Sequence, residues 1–378
     1  MRWHKLLPLR LKVLTPVVVG TGEKCTSLGF VPDGTKVLVV DEHRFIRLLT
    51  EKQRQLLLDW LDESLPKATL NHFLRDKLKM SQPAQWLRQQ QAVRYELPLA
   101  SKAQHPPRFF VCLKTPDHRP YIPGSEIKGA LRTAVLAAML TGNALDQLVD
   151  EIDKISPKPQ SQRELNQIGQ KTEWKLLRAK AAEAMDAHND LFRGLSISDS
   201  EPFLPSSLRL YAAKRLGMTR NVTVFTEAIA PENETKVTLS IASPDRWLEA
   251  AGLTGKGEWL DWNKLAEALY EHANAVLDFL AQKFPQMKQH IQELKEQNQK
   301  DAPLLRLGWG QGFLSVTMTA PLRRQNPNAY EALVKALAQA IGKYQRAQPK
   351  NFPKTVWAAL DQNDQPFAFF GWLKIVPT

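Results

Sequence analysis

The sequence predicts an α+β fold, a mixed β-sheet decorated by large helical insertions. Three observations predict it: strand-like alternation at both ends of the chain, long stretches of helical periodicity between them, and no fixed-period repeat of the kind that builds solenoids or propellers. At 378 residues the chain is long enough for one elaborated domain or two.

From Leu9 to Leu14, the apolar Leu9, Leu11 and Val13 alternate with Arg10 and Lys12, which predicts a strand with one apolar and one cationic face. Thr15-Pro16 closes it. The valine run Val17 to Val19 then enters Gly20-Thr21-Gly22, and Asp33-Gly34 before Val37 to Val40 signals a hairpin. From Asp41 to about Gln91 the pattern turns helical, with Phe45, Ile46, Leu48 and Leu49, then Leu56, Leu57, Trp60 and Leu61 at turn-related spacing, and residues 51–104 read as a helical insertion. A strand is expected at Phe109 to Leu113, and helices at Asp146 to Leu191 and again across 243–302. Strand text returns at Val222 to Phe225, Lys236 to Ile241, Phe313 to Met318 and Phe367 to Val376.

The net charge of +12 points to an anionic partner. Its distribution says more: +8 over residues 1–150 (22 basic, 14 acidic), −1 over 151–300 (20 and 21) and +5 over 301–378 (9 and 4). The excess lies at the two ends, which also carry glycine motifs, so the sequence suggests termini brought together around one groove. Two cysteines, Cys25 and Cys112, exclude a disulfide framework and a cysteine metal cluster. Residues 1–8 show no apolar signal core and no run reaches membrane-span length, so a cytoplasmic protein without a membrane partner is expected.

Three motifs carry candidate binding chemistry. In Tyr121-Ile122-Pro123-Gly124-Ser125-Glu126-Ile127-Lys128-Gly129-Ala130-Leu131-Arg132, Pro123-Gly124 breaks a strand and Ser125 is a suitable N-cap. Ile127, Ala130, Leu131, Ala134, Val135, Ala138 and Met139 then form one helical stripe. Lys128 and Arg132 flank that stripe at the helix start, where a cation is disfavoured unless an anion is near. Either they form a phosphate site with Ser125, or Lys128 reaches water and Arg132 pairs with Glu126 or another acid.

The second motif, Leu305 to Phe313, sets Gly308, Gly310 and Gly312 at alternate positions around Trp309 and Gln311. It is not a dinucleotide fingerprint: the third glycine comes a residue early and the text after it is not helical. It reads as a nucleic-acid contact or as a bulge or tight turn, with Trp309 stacking on a base or filling core. The third, Arg209 to Phe225, interleaves Arg209, Lys214, Arg215 and Arg220 with Tyr211, Leu216 and Met218, which suits either an exposed hairpin along a single strand or a solvated helix face.

Catalytic signals are thin. Eight scattered histidines form no metal-ligand spacing, and neither a nucleophile elbow nor a Walker loop occurs, so no metal or other cofactor is expected. His43 is the one candidate base for RNA transesterification, against the ordinary reading of a lone surface histidine.

Together these blocks resemble the RAMP-superfamily proteins of CRISPR systems, most closely the family of fifth subunits of type III-A Csm effector complexes. The resemblance rests on Leu14 to Glu23, Tyr121 to Arg132, Leu195-Ser196-Ile197-Ser198-Asp199-Ser200, Glu227 to Ile241, Leu307 to Phe313 and Phe370-Gly371-Trp372-Leu373-Lys374, which occur in the family's order. The block around Lys128 is specific to the superfamily; the Ser-Asp-Ser and Gly-Trp-Gly blocks narrow it to the subunit.

The resemblance implies a ferredoxin-like, RRM-like palm formed by residues 1–50 and 105–242 and completed by 303–378, with 209–225 as the family's thumb. It implies a non-catalytic subunit capping the 3′ end of a crRNA. The expected partners are crRNA, complementary target RNA, other Csm subunits, above all the backbone subunit, and host nucleases that trim the 3′ end. RNA contacts are expected from Gly20, Thr21, Gly22, Ser125, Lys128, Arg132, Arg209, Lys214, Arg215, Arg220, Gly308, Trp309, Gly310 and Gln311. The cleaving neighbour in such filaments uses an aspartate after its first strand. Here Cys25 to Val31 holds no carboxylate and Asp33 belongs to a turn signal. A metal-independent RAMP endoribonuclease acting through His43 is the alternative.

Overall fold

The computed structural model describes residues 4–65, 67–101, 106–155, 161–178, 189–218, 222–242 and 248–378. In β1 (His4–Val13) the expected alternation is present: Leu9, Leu11 and Val13 are fully buried, while Arg10 and Lys12 pair at the surface with Glu234 and Glu232. Such exposed pairs add little, so the strand is held by its apolar face and its two neighbours. After the valine run comes β2 (Gly20–Thr26), then the hairpin β3 (Phe30–Asp33) and β4 (Lys36–Val40), turned at Gly34 with φ +58°.

Helices α1 (Glu42–Leu48), α2 (Glu51–Ser64), α3 (Leu70–His72) and α4 (Pro83–Gln89) precede β5 (Val93–Pro98), which pairs with β4. The stretch expected as a purely helical insertion is therefore a small α+β module whose helices begin at Glu42. Its independence has a packing cause. Val31, Val40, Phe45, Leu57, Trp60, Phe73 and Leu74 form a core separate from the main one.

Next come β6 (Arg108–Cys112), α5 (Gly124–Met139), α6 (Gly142–Ile155) and α7 (Gln162–Leu177), the last opened by a capping box between Ser161 and Glu164. On α5 the predicted stripe is buried at Ile127, Leu131, Ala134 and Val135. Strands β7 (Leu195–Ile197), β8 (Leu208–Leu216), β9 (Thr223–Ile229) and β10 (Glu234–Ala242) follow, then α8 (Trp262–Lys283), α9 (Lys288–Gln297) and β11 (Leu304–Arg306).

Residues 313–318, expected as a strand, are instead a turn of 3-10 helix (Phe313–Val316) leading into α10 (Ala320–Gln325) and α11 (Pro327–Ala340). Two helix starts decide this: Pro321 opens α10, and the Asn326 side chain accepts the Ala329 amide at the head of α11. The chain closes with β12 (Val356–Leu360), β13 (Pro366–Phe369) and β14 (Trp372–Pro377); Gly371, at φ +92°, splits what reads as one strand.

The strands form three sheets: β11-β14-β1-β10-β7, β13-β12-β8-β9-β6-β2 and β3-β4-β5. The first is wholly antiparallel, with β1 between β10 and β14, and α5 and α8 pack together against it through β7 and β11. In the second, β6 and β9 are the parallel pair. The described residues of segment 209–225 are thus antiparallel strands rather than a helix, and β8 lies inside the second sheet between β12 and β9.

The small module is joined to that sheet by Glu227, a fully buried carboxylate on β9. It accepts from Tyr95 Oη (2.6 Å) and the Cys112 amide (2.8 Å) and pairs with the buried Lys114 ammonium. A buried charge in this position is tolerated because all its bonds are made. Among the described residues no helix is long and apolar enough to cross a membrane.

Candidate nucleic-acid interface

At the start of α5 the backbone is set by Pro123, the N-cap in extended conformation, so Ser125 lies one residue inside the helix, exposed, rather than at its cap. Gly124 is required by a close approach: a Cβ there would sit 2.1 Å from the Ile197 carbonyl oxygen. The Ser-Asp-Ser segment wraps this end. Asp199 Oδ1 accepts the Gly124 amide at 2.9 Å, and Ser200 Oγ accepts the Ile122 amide at 3.0 Å. The anion that a helix start attracts is therefore supplied by the chain itself.

Both cations of this motif are likewise engaged internally. Lys128 Nζ donates to the Leu195 carbonyl at 2.8 Å, and burial lowers its pKa. Arg132 donates to Glu173 (Nε, 2.9 Å) and to both oxygens of Asp190 (2.9 and 2.7 Å), with its guanidinium 5.4 Å from the Phe192 ring. Of the two readings the sequence left open for Ser125, Lys128 and Arg132, the pairing of Arg132 with acids is the one seen, while Ser125 stays exposed. Arg132 does pair with acids, but these come from α7 and from residue 190, distant in sequence, and not from Glu126.

Lys128 reaches β7 at one edge of the first sheet, while the glycine loop follows β11 at the other. The helix spans the two: α5 also packs against β11 and the 3-10 turn after the loop, and Ala130 lines a small cavity with Leu305, Arg306 and Ser315.

The two terminal glycine motifs do come together. Trp309 N donates to the Val18 carbonyl at 2.8 Å, two residues before Gly20. Gly308 (φ +77°) makes this possible, since a Cβ there would lie 2.2 Å from the same oxygen. Gly20, Thr21 and Gly22 are exposed on the adjoining edge strand; Thr21 Oγ1 accepts the Glu23 amide at 3.1 Å, which holds the turn. Gln311 Nε2 donates to the Gly308 carbonyl at 2.8 Å and closes the loop on itself.

Trp309 settles onto the second sheet. Its ring lies 6.3 Å from Phe110, 5.0 Å from Trp357 and 5.4 Å from Phe370, so the indole packs against protein rings. Cations cap both ends of this row: Lys24 Nζ stands 4.9 Å from the Phe110 ring and the Arg215 guanidinium 5.6 Å from Trp357. Lys24 and Arg215 are both exposed. Strand alternation puts Arg209 on the same face of β8 as Arg215 and turns Lys214 to the other face. Arg220 lies outside the described residues.

Sequence reasoning missed Lys24, Phe110 and Trp357. They are far apart along the chain, and only the order β12-β8-β9-β6-β2 assembles them. The resulting face is cationic and aromatic, a chemistry that holds a sugar-phosphate backbone with little dependence on base identity. Among the described residues no group of three His, Cys, Asp or Glu side chains could hold a metal ion. His43 is exposed on α1 of the small module.

The RAMP superfamily model matches residues 10–315. The chain is similar to "CRISPR system Cms protein Csm5" of Mycobacterium tuberculosis (strain CDC 1551 / Oshkosh), with 23% identity over 337 residues and 83% of each sequence covered. It is similar to the protein of the same name from Streptococcus thermophilus, with 25% identity, covering 75% of this chain and 74% of that one. Among solved structures it matches a chain of a Csm-crRNA-target RNA ternary complex of a type III-A CRISPR-Cas system, at TM-score 0.71 and 23% identity, covering 98% of this chain and all of that one. The resemblance read from the motifs is borne out.

Proposed function

Since the chain belongs to the RAMP superfamily, we propose that it is a non-catalytic RNA-binding subunit of a type III-A CRISPR Csm complex, built on a ferredoxin-like palm. In this reading it holds the 3′ portion of a crRNA, contacts the target RNA paired to it, and ends the filament of backbone subunits. One observation carries the reading: the glycine motifs at 20–22 and 308–311 meet beside a row of rings whose two ends bear the exposed cations Lys24 and Arg215. The names of relatives matched over most of their length support the assembly. A ferredoxin-like palm is supported by an antiparallel sheet with α5 and α8 packed against it.

The test is purification of the tagged chain from its own host, with identification of the RNA and proteins it carries. The reading expects a crRNA together with other Csm subunits, the backbone subunit foremost, and host trimming nucleases in lower amount. Recovery without nucleic acid sinks it. Incubation of the pure chain with repeat RNA in EDTA addresses chemistry: intact RNA is expected, whereas specific cleavage abolished by His43→Ala would establish the endoribonuclease instead.

A further inference from the structure

Where α5 and α8 meet β11, the side chains of Leu269, His272, Leu304, Arg306, Ser315 and Trp372 border a cavity of about 10 Å³, taken as room for the centre of a water molecule. That is about the least volume one water needs, and too little for a larger ligand. Two of the bordering residues hold buried polar atoms that no described residue satisfies.

Trp372 is 1% exposed, and its Nε1–H meets no acceptor among the described residues. His272 has the opposite polarity. Its Nε2 lies 3.4 Å from the Ser315 carbonyl oxygen, which only accepts, so Nε2 carries the ring proton and Nδ1 presents a lone pair. Nδ1 is buried as well, and no described residue donates to it. Burial lowers the ring's pKa to about 4, so it is neutral at neutral pH. Buried polar groups in folded proteins are nearly always bonded, either to protein or to ordered water. Here one donor and one acceptor border the same water-sized space.

Arg306, 6% exposed at the end of β11, adds a further donor. Its Nε donates to the Phe370 carbonyl (2.9 Å), one terminal nitrogen to Ser315 Oγ (3.3 Å) and the other to the Gly310 carbonyl (3.2 Å). These bonds engage three of the five N–H groups of a guanidinium, which leaves two.

We propose that this cavity is the binding site of a single internal water, which accepts from Trp372 Nε1, donates to His272 Nδ1 and takes a remaining Arg306 N–H as its third partner. Three bonds are the usual complement of such a water. The main chain of Trp372 is already fixed on its other side, where its amide donates to Thr15 Oγ1 (2.9 Å) and its carbonyl accepts the Leu14 amide (3.0 Å). The water therefore ties β14 to α8 and hydrates a buried cation. A halide ion, though attracted by Arg306, would face the lone pair of Nδ1 and is disfavoured. The site belongs to the fold and does not depend on RNA binding.

The test is water-selective NOE and ROE spectroscopy on the intact, 15N-labelled chain in halide-free buffer, with the Trp372 indole resonance assigned by its loss in Trp372→Phe. An Overhauser cross-peak between that indole proton and water is expected, and it should vanish in His272→Leu, which removes the acceptor. No cross-peak in the wild type, or one with the sign of chemical exchange, would overturn the site. A cross-peak that persists in His272→Leu would overturn the bridge. Titration with bromide should leave the indole resonance in place; a saturable shift would mark an anion site and refute the water. If His272→Leu does not fold, the ring nitrogens of wild-type His272 decide: a proton on Nε2 and a bare Nδ1 are expected, and a protonated Nδ1 refutes the bridge.

Discussion

Arg132 and Asp190 face each other with two parallel bonds, 2.9 and 2.7 Å, from guanidinium nitrogens to both carboxylate oxygens. A helix start is thus tied to the beginning of the segment that wraps it. Burial opposes ionisation of Asp190, but the Arg132 bonds outweigh it and hold the carboxyl below its ordinary value. A group depressed in the folded state stabilises above its unfolded pKa, near 3.9, and that contribution is lost as pH falls through the folded value. Arg132→Met is expected to cost about 2–4 kcal/mol at neutral pH, toward the lower end for a pair that is partly exposed. Denaturant melts from pH 7 to 2 check both: the variant should lose the acid-dependent part of the wild-type curve.

Gly308 and Gly312 share a positive φ but differ in surroundings. An alanine at 308 would meet the Val18 carbonyl at 2.2 Å, whereas at 312 nothing lies within 4 Å. Gly312→Ala is expected to lose only the backbone term, about 1–2 kcal/mol. Gly308→Ala should lose distinctly more, since the β1–β2 connection must move. Paired thermal melts measure the difference, and equal losses would contradict the close approach.

Lys24 and Arg215 stand at the two ends of the aromatic row. Replacing both by alanine should flatten the salt slope of single-stranded RNA binding by about 1.4, about 0.7 for each cation. The melting temperature should change little, because both side chains are exposed. Fluorescence anisotropy with labelled RNA at several salt concentrations provides the measurement.

His290 Nε2 accepts the Phe369 amide at 3.1 Å, which only the unprotonated nitrogen can do. Burial, aided by the charge of Arg306, pushes its pKa down to about 4. A depressed histidine is neutral in the fold yet takes a proton when unfolded, so stability should decline as pH falls from about 6.5 to about 4, by up to about 1.4 kcal/mol per unit. His290→Gln, whose amide oxygen can accept the same bond, should flatten this limb in pH-dependent denaturation.

The sequence disclosed what is local. Alternation in Leu9 to Val13, the Asp33-Gly34 turn and the apolar stripe of α5 all depend on neighbours a few residues away, and each is found in the fold. The start of α5 was legible as a helix start but not as an occupied one, because Asp199, Asp190 and Glu173 lie 41 to 75 residues from their partners. For the same reason the cationic row could not be read: its rings and charges come from four strands, the glycine loop and the turn at Phe370. Leu314, Val316 and Met318 alternate in the sequence as a strand's residues do, but Leu314 is buried and Val316 exposed on a 3-10 turn of three-residue period, and only Pro321 and Asn326 mark the two helices beyond it.

Strand β1 lies between β10 and β14, bonded through Leu9–Val13 to Leu373–Pro377. During synthesis, the ribosome makes β1 first and its β14 neighbour hundreds of residues later. Until that last strand emerges, one edge of β1 offers open amides and carbonyls to any passing chain. Pairing of this edge therefore waits on a strand made hundreds of residues later, and β1 stays open to mispairing through the intervening synthesis.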